Sequence, residues 1–322
     1  MNEIVKVEKL TKRYGDLIAV DGLSFEVHEG EIFGFLGPNG AGKTTTLNII
    51  TTLSDFDQGN VNIAGFDLVK QSMQIKALIG IVPQEIALYK ELTARENVAF
   101  FASLYGLRGR ELRKAVDDAL DFVGLAGDAK KRTGKMSGGM QRRLNIACGI
   151  AHRPKLIVMD EPTVGVDARS REHILNSIRI LRDHGATIIY TSHYMPEVQN
   201  IADRIAIIDK GRLVAVGTEN ELLEYVTDFR TIELDVSGKD GDSIRFCATA
   251  LGAMPGVRQS VYVEDIGVIR VDVDLNISDI TPVLRSVLEN GIRISGVRTD
   301  APDLETTFLA LTGGSLSGEE LN

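Results

Sequence analysis

At 322 residues the chain exceeds one average domain and falls short of three, and 43% hydrophobic with 25% charged residues describes a globular protein able to bury two cores. A formal net charge of -9 excludes a broad basic face for nucleic acid, and no apolar run reaches the roughly 18 residues of a membrane span. The charged stretch Met1 to Leu10 is no secretion leader, so the expected location is the cytosol, and Cys148 and Cys247, far apart and without metal-ligand spacing, read as ordinary reduced thiols.

From Val5 to about Leu36, short alternating runs separated by Gly15, Gly22 and Gly30 predict an antiparallel β layer leading into a core strand, Ile32 to Leu36. Thr93 to Leu125 reads as an inserted helical lobe, opened by Thr93 and Glu96 at capping-box spacing and continued by a periodic stretch from Arg110 to Val123. Apolar strands return at Leu156 to Met159, Thr187 to Tyr190 and Arg204 to Ile208, alternating with helices such as Ser170 to Asp183, which predicts a largely parallel sheet covered by helices. Asp209, Lys210 and Gly211 close a hairpin into Arg212 to Val216.

Beyond Glu224 the pattern changes to strand (Thr231 to Val236), helix (Ser243 to Leu251), two strands (Val257 to Val263 and Val268 to Val273), helix (Ile277 to Leu288) and strand (Ile292 to Val297). That βαββαβ order predicts a small ferredoxin-like α+β domain. Residues 229–322 carry 8 basic and 15 acidic residues, so most of the negative charge lies here. The tail over 314–322 is expected to be disordered.

Three segments carry chemistry. Gly37, Pro38, Asn39, Gly40, Ala41, Gly42, Lys43 and Thr44 satisfy G-x-x-x-x-G-K-[ST] between a buried strand and a helix. In that setting backbone N–H groups and the helix N-terminus grip phosphate, Lys43 adds a full positive charge, and Thr44 offers a hydroxyl to Mg²⁺. Second, a buried strand ends in Asp160, Glu161 and Pro162, placing two carboxylates where α/β sheets bind ligands. Adjacent strand residues point opposite ways, so Asp160 is the candidate for metal binding and Glu161 for deprotonating the water that attacks the γ-phosphate. Gln84, which could touch both metal and water, and His193, which could reach the γ-phosphate, each follow a strand expected to end beside the nucleotide. Third, Ser137, Gly138 and Gly139 open a helix from Met140 to Ala151 and offer a second anion cradle, or simply a serine N-cap. Tyr14 could stack on a base; a packing or surface tyrosine reads equally well from the residue alone.

In this fixed order, Tyr14, the loop from Gly37 to Thr44, Gln84, the segment Met136 to Met140, Asp160 with Glu161, the turn Val164 to Asp167, and His193 resemble the nucleotide-binding subunits of ABC transporters over roughly residues 3 to 220. The resemblance implies a P-loop ABC cassette over 1–224, with its helical lobe at about 85–155, followed by the accessory domain over 225–313. It also implies a dimer, homomeric or heteromeric, in which Ser137, Gly138 and Gly139 of one subunit seal ATP and Mg²⁺ held by the phosphate loop, Thr45 included, of another. Tyr14 and Asp167 join the nucleotide site, Thr44, Gln84 and Asp160 the metal site, and Glu161, His193 and Gln84 the catalytic set. The signature usually reads Leu-Ser-Gly-Gly-Gln, and here Met136 and Met140 replace its ends. Met140 with Arg142, Arg143 and Leu144, the run Thr191 to Met195, and the run Leu304 to Gly313 resemble the daunorubicin-type drug-export branch. That branch implies a separate membrane permease, contacted through roughly Glu85 to Phe101, and a position on the cytoplasmic face of the membrane. By analogy the acidic domain is expected to regulate or stabilise the dimer. An importer ATPase with a ligand-sensing C-terminal domain and a soluble, non-transport ABC ATPase are the alternatives.

Overall fold

The computed structural model describes residues 2–192, 194–225, 229–274, 277, 279–300 and 304–312. The chain divides into two compact units, Met1–Glu219 and Asn220–Gly314.

In the first unit, β1 (Glu3–Tyr14) and β2 (Leu17–His28) pair antiparallel across a turn at Gly15, whose φ of 58° suits glycine. Next come β3 (Ile32–Leu36), α1 (Lys43–Ile50), β4 (Gln58–Ile63), β5 (Phe66–Asp67), α2 (Ser72–Leu78) and β6 (Ile79–Val82). The lobe is built from α3 (Ala94–Leu104), α4 (Gly109–Phe122) and α5 (Gly138–Ile150). The chain then returns through β7 (Leu156–Asp160), α6 (Ala168–Asp183), β8 (Thr187–Thr191), α7 (Met195–Ile201), β9 (Arg204–Asp209) and β10 (Arg212–Gly217).

Two sheets result. One is four-stranded and antiparallel, in the order β2-β1-β4-β5, and the other is six-stranded, in the order β10-β9-β3-β8-β7-β6. In the larger sheet only the edge strand β10 runs antiparallel, closing the hairpin at Lys210 and Gly211. Every residue of β3 and β8 is buried, as continuous apolar strands covered on both faces require. The sheets share one core: Phe25 of β2 stacks on Phe33 of β3 with centroids 5.7 Å apart and meets Phe35 at 5.3 Å. Burying each ring contributes about 1.5–3 kcal/mol.

The lobe is pinned by specific caps. Thr93 accepts the Glu96 N–H while Glu96 accepts the Thr93 N–H at 2.8 Å, a reciprocal capping box that stabilises the start of α3 by about 1 kcal/mol. Fully buried Asn97 donates to the Tyr89 carbonyl and Thr133 Oγ1 and accepts the Tyr89 N–H, so its polar cost is offset. Helix α5 lies so close to β6 that a Cβ on Gly80 would sit 2.2 Å from the Gly149 carbonyl oxygen.

After α8 (Glu219–Glu224), at whose first residue the units divide, the second unit contains β11 (Phe229–Ser237), α9 (Gly241–Leu251), β12 (Val257–Val263), β13 (Val268–Asp274), α10 (Thr281–Glu289), β14 (Arg293–Asp300) and α11 (Leu304–Thr312). From β11 to β14 the order is βαββαβ, and the strands form an antiparallel sheet in the order β12-β13-β11-β14. Ile232, Leu234, Ile269 and Val271 turn inward onto Ile244, Cys247, Leu251 and Val287 of the helices. On the other face Glu233 pairs with Arg270 at 2.6 Å and Asp235 with Arg298 at 2.8 Å.

Two features of this unit depart most from the sequence expectation. Helix α10 begins at Thr281 rather than Ile277, because Asp279 accepts the Thr281 N–H at 2.9 Å and the Ile277 carbonyl is taken by Arg230. Helix α11 forms where no helix was expected and buries Leu304, Thr307 and Phe308 along one side. The tail over 314–322, expected to be disordered, lies outside the described residues.

Candidate active site

Strand β3 delivers the chain into Gly37 at the centre of the larger sheet, and the loop that follows has room for glycine only at key points. A Cβ on Gly37 would lie 2.5 Å from the Ile208 carbonyl oxygen, and one on Gly42, whose φ is 98°, would lie 2.4 Å from that of Ala19. Gly42 caps α1 in the left-handed conformation without a side-chain hydrogen bond, so the first N–H groups of the helix, on Lys43, Thr44 and Thr45, remain as donors toward an anion. Lys43 folds back along the loop and donates to the Gly37 carbonyl at 2.6 Å and the Pro38 carbonyl at 3.1 Å. Burial lowers its pKa, while the charges of Glu161 and Asp160 act in the opposite direction.

Asp160 ends β7 and Glu161 lies just beyond it, and the two carboxylates take separate partners. Asp160 Oδ2 accepts from Thr44 Oγ1 at 3.3 Å and Oδ1 from Thr191 Oγ1 at 2.6 Å. Glu161 is buried, and its Oε2 accepts from Gln84 Nε2 at 2.9 Å. Its φ is 45°, a left-handed conformation costing a residue with a side chain about 1–2 kcal/mol. Thr191 holds it there, its carbonyl oxygen and Oγ1 accepting the Glu161 N–H at 3.2 and 3.0 Å. Thr44, Asp160 and Gln84 offer oxygen ligands only, a donor set that fits a hard divalent cation completing its shell with water and phosphate oxygens.

The second cradle stands apart from the first. Ser137 caps α5 and accepts the Met140 N–H at 3.3 Å, and among the described residues none of the hydrogen bonds of Ser137, Gly138 or Gly139 reaches the phosphate loop of the same chain. A Cβ on Gly139 would lie 2.6 Å from Ser170 Oγ, so the start of α5 abuts the start of α6. Asp167 caps α6 through the Ser170 N–H at 2.9 Å and Oγ at 2.8 Å, and these bonds hold its carboxyl below the ordinary carboxylate range. Tyr14 ends β1 half exposed, with Lys12 Nζ 5.2 Å above its ring. His193 lies outside the described residues.

A family model described as ABC transporter matches residues 20–164. The chain is 40% identical over 319 residues to the linearmycin resistance ATP-binding protein of Bacillus subtilis (strain 168), an alignment covering 97% of this chain and 99% of that one. The chain belongs to the family of ABC transporter ATP-binding subunits. It is also 34% identical over 311 residues to the doxorubicin resistance ATP-binding protein of Mycobacterium tuberculosis (strain ATCC 25618 / H37Rv), covering 96% of this chain and 93% of that one. Among solved structures, a dimeric ATP-binding cassette in a post-hydrolysis state bound to ADP and Pi superposes with a TM-score of 0.61 at 28% identity, over 66% of this chain and 98% of that one. The cassette is therefore an ATPase that binds adenine nucleotides, in the branch of drug-resistance ATP-binding proteins that its motifs resemble.

Two further residues complete the cassette and were not assigned a role in the site from sequence. Thr191 carries Asp160 and Glu161 as described, and in sequence it stood only in the run to Met195 that carries the branch resemblance, with no role at the site. Arg142, on the buried side of α5, donates to the carbonyls of Pro83 at 3.2 Å, Gln84 at 2.7 Å and Val164 at 3.3 Å. Its burial lowers its pKa, offset in part by Glu161. A charged residue just ahead of the mostly apolar stretch Leu144 to Ile150 was the available signal.

Among the described residues no helix is long and apolar enough to cross a membrane, and no cluster of three or more His, Cys, Asp or Glu gathers to hold a metal.

Proposed function

We propose that this chain powers drug export from the cytoplasmic face of the membrane, working as a homodimer or with a related cassette beneath a separate permease. The observation that carries this reading is the extent of the match: the drug-resistance relatives align over nearly the whole chain, accessory unit included, whereas the solved cassettes cover about two thirds of it. An importer or a non-transport ATPase would share the cassette, and the drug-resistance relatives are what argue against both.

In this reading ATP lies on the N–H groups of the Gly37 to Thr45 loop, Tyr14 stacks on the base, and Ser137, Gly138, Gly139 and Asp167 of the partner subunit close over the phosphates. Mg²⁺ held by Thr44, Asp160 and Gln84 would neutralise phosphate charge. Lys43 pairs with the phosphates, and Glu161 takes a proton from the water that attacks the γ-phosphorus as the bond to the β–γ bridging oxygen breaks. Gln84 steadies Glu161 through the 2.9 Å hydrogen bond, and His193 contacts the γ-phosphate. Closure transmits force to the permease, the segment from about Glu85 to Phe101 in the helical lobe being the expected contact. The accessory domain over 225–313 regulates or stabilises the dimer.

The test is Glu161→Gln in the full chain. It retains ATP binding, loses turnover and accumulates a dimer in scattering measurements at saturating ATP; an ATP-loaded variant that stays monomeric contradicts the proposal.

A further inference from the structure

Glu197 is a carboxylate only 3% exposed, set in the short helix that follows residue 193. Leaving a charge in a protein interior costs several kcal/mol unless donors surround it, and here they come from three directions. Its Oε2 accepts from Thr163 Oγ1 at 2.6 Å, Tyr190 Oη at 2.6 Å and Ser192 Oγ at 3.1 Å, while Arg171 Nε forms an ion pair with Oε1 at 3.1 Å. Burial and the Glu197 charge together raise the Tyr190 pKa well above its ordinary value, keeping that hydroxyl protonated as a donor.

The placement of these donors relates them to the reaction. Thr163 lies two residues beyond Glu161, inside the turn closed by the Val164 N–H on the Glu161 carbonyl at 3.3 Å. Tyr190 and Ser192 flank Thr191, which holds Asp160 and the Glu161 N–H. Ser192 Oγ also accepts the Tyr194 N–H at 3.0 Å, so both sequence neighbours of residue 193 are tied to the same centre. Arg171 belongs to the first turn of α6, which Asp167 caps. The left-handed backbone of Glu161 is strained and persists only where its surroundings fix it from both sides. Thr191 fixes it from the N–H side, and Glu197, through Thr163, from the other.

We infer that Glu197 is a positioning residue for ATP hydrolysis: by gathering Thr163, Tyr190, Ser192 and Arg171 on one carboxylate it sets the backbone that aims Glu161, without touching nucleotide. This rests on the assignment of Glu161 as the base. Phosphate grip is built elsewhere, on the loop from Gly37 to Thr44, so losing the Glu197 charge should slow the chemical step and spare binding.

The experiment compares Glu197→Gln, Thr163→Val and Thr163→Ser in the full chain, with Glu161→Gln as reference, measuring kcat, KM for ATP, affinity for a fluorescent ATP analogue, and thermal midpoint. Glu197→Gln and Thr163→Val each lower kcat about ten- to hundredfold, the scale of a misplacement near 1 Å, with nucleotide affinity within about twofold. Thr163→Ser, which keeps the hydroxyl, restores turnover, and the Glu197→Gln, Thr163→Val double variant is no slower than the slower single one. Two outcomes overturn the inference: Glu197→Gln turning over within about twofold of the unaltered chain while Glu161→Gln is inactive, or affinity and thermal midpoint falling along with kcat, the mark of general unfolding. Turnover by Glu161→Gln would instead refute the assignment of the base.

Discussion

Replacing Arg142 with methionine keeps the length and apolar stem of the side chain and removes the guanidinium that joins α5 to the glutamine segment and to the turn after Glu161. Three carbonyls lose a charged donor: Pro83 O at 3.2 Å, Gln84 O at 2.7 Å and Val164 O at 3.3 Å. Hydrogen bonds to charged groups are worth about 1.5–3 kcal/mol each, but the two longer ones here are weak and desolvating the guanidinium is itself costly. A net loss of about 2–4 kcal/mol follows, or about 4–16 °C in the thermal midpoint of a unit this size. Calorimetry of the full chain measures that shift, and an ATPase assay reads the second consequence. The Gln84 backbone is released, so the 2.9 Å contact from Gln84 Nε2 to Glu161 loosens and kcat falls more than ATP affinity does. A midpoint within about 2 °C of the unaltered chain, together with full turnover, would refute the idea that this arginine anchors Gln84.

His152 stacks on Tyr105 with centroids 3.5 Å apart, and its Nε2 meets the Ile79 carbonyl at 3.1 Å, which requires the proton on Nε2. Burial pulls its pKa from 6.5 down to about 4, against the Ile79 bond, so between those values the unfolded chain takes up a proton that the folded chain refuses. Its contribution is therefore complete above pH about 6.5 and declines as pH falls to about 4; urea titrations across that window should show a smaller pH slope in His152→Phe, and an unchanged slope would count against it. Thr191→Val keeps the volume and β-branching of a fully buried side chain while deleting the donor to Asp160 Oδ1 and the Oγ1 acceptor for the Glu161 N–H. It should destabilise by about 1.5–3 kcal/mol in urea titrations and cut kcat at least about tenfold; unaltered stability would mean Asp160 needs no such donor.

The sequence was most informative where chemistry and period reinforce each other. The glycine-rich loop between β3 and α1, Asp160 at the end of β7, and the capping box at Thr93 are local patterns whose placement follows from a few adjacent residues. Strand alternation led to separate partners for Asp160 and Glu161, but the separation arises differently, because Glu161 lies beyond β7 in a left-handed conformation. What escaped is long-range: Thr191 matters because β8 lies beside β7, Arg142 because α5 crosses the ends of two segments distant in sequence, and Glu197 because three hydroxyls and an arginine converge on it from three segments. The strain at Glu161 left no local trace, because Pro162 biases the preceding residue toward extended backbone whereas its φ is 45°. Helix α11 was missed because Thr306 and Thr307 weaken helix propensity in a segment held by tertiary burial of Leu304 and Phe308.

The most direct test of the account concerns where the second cradle acts. Asn39→Cys and Ser137→Cys, both at or near the ends of exposed loops, are introduced together in a Glu161→Gln chain assembled with its permease; the native Cys148 and Cys247 are buried and contribute little background. With ATP and Mg²⁺ present, oxidation should link the two positions between subunits and yield a covalent dimer, and omitting ATP should largely abolish it. Linkage that forms equally without nucleotide, or none in the ATP-loaded complex, would contradict a site sealed by the Ser137 helix of the neighbouring subunit.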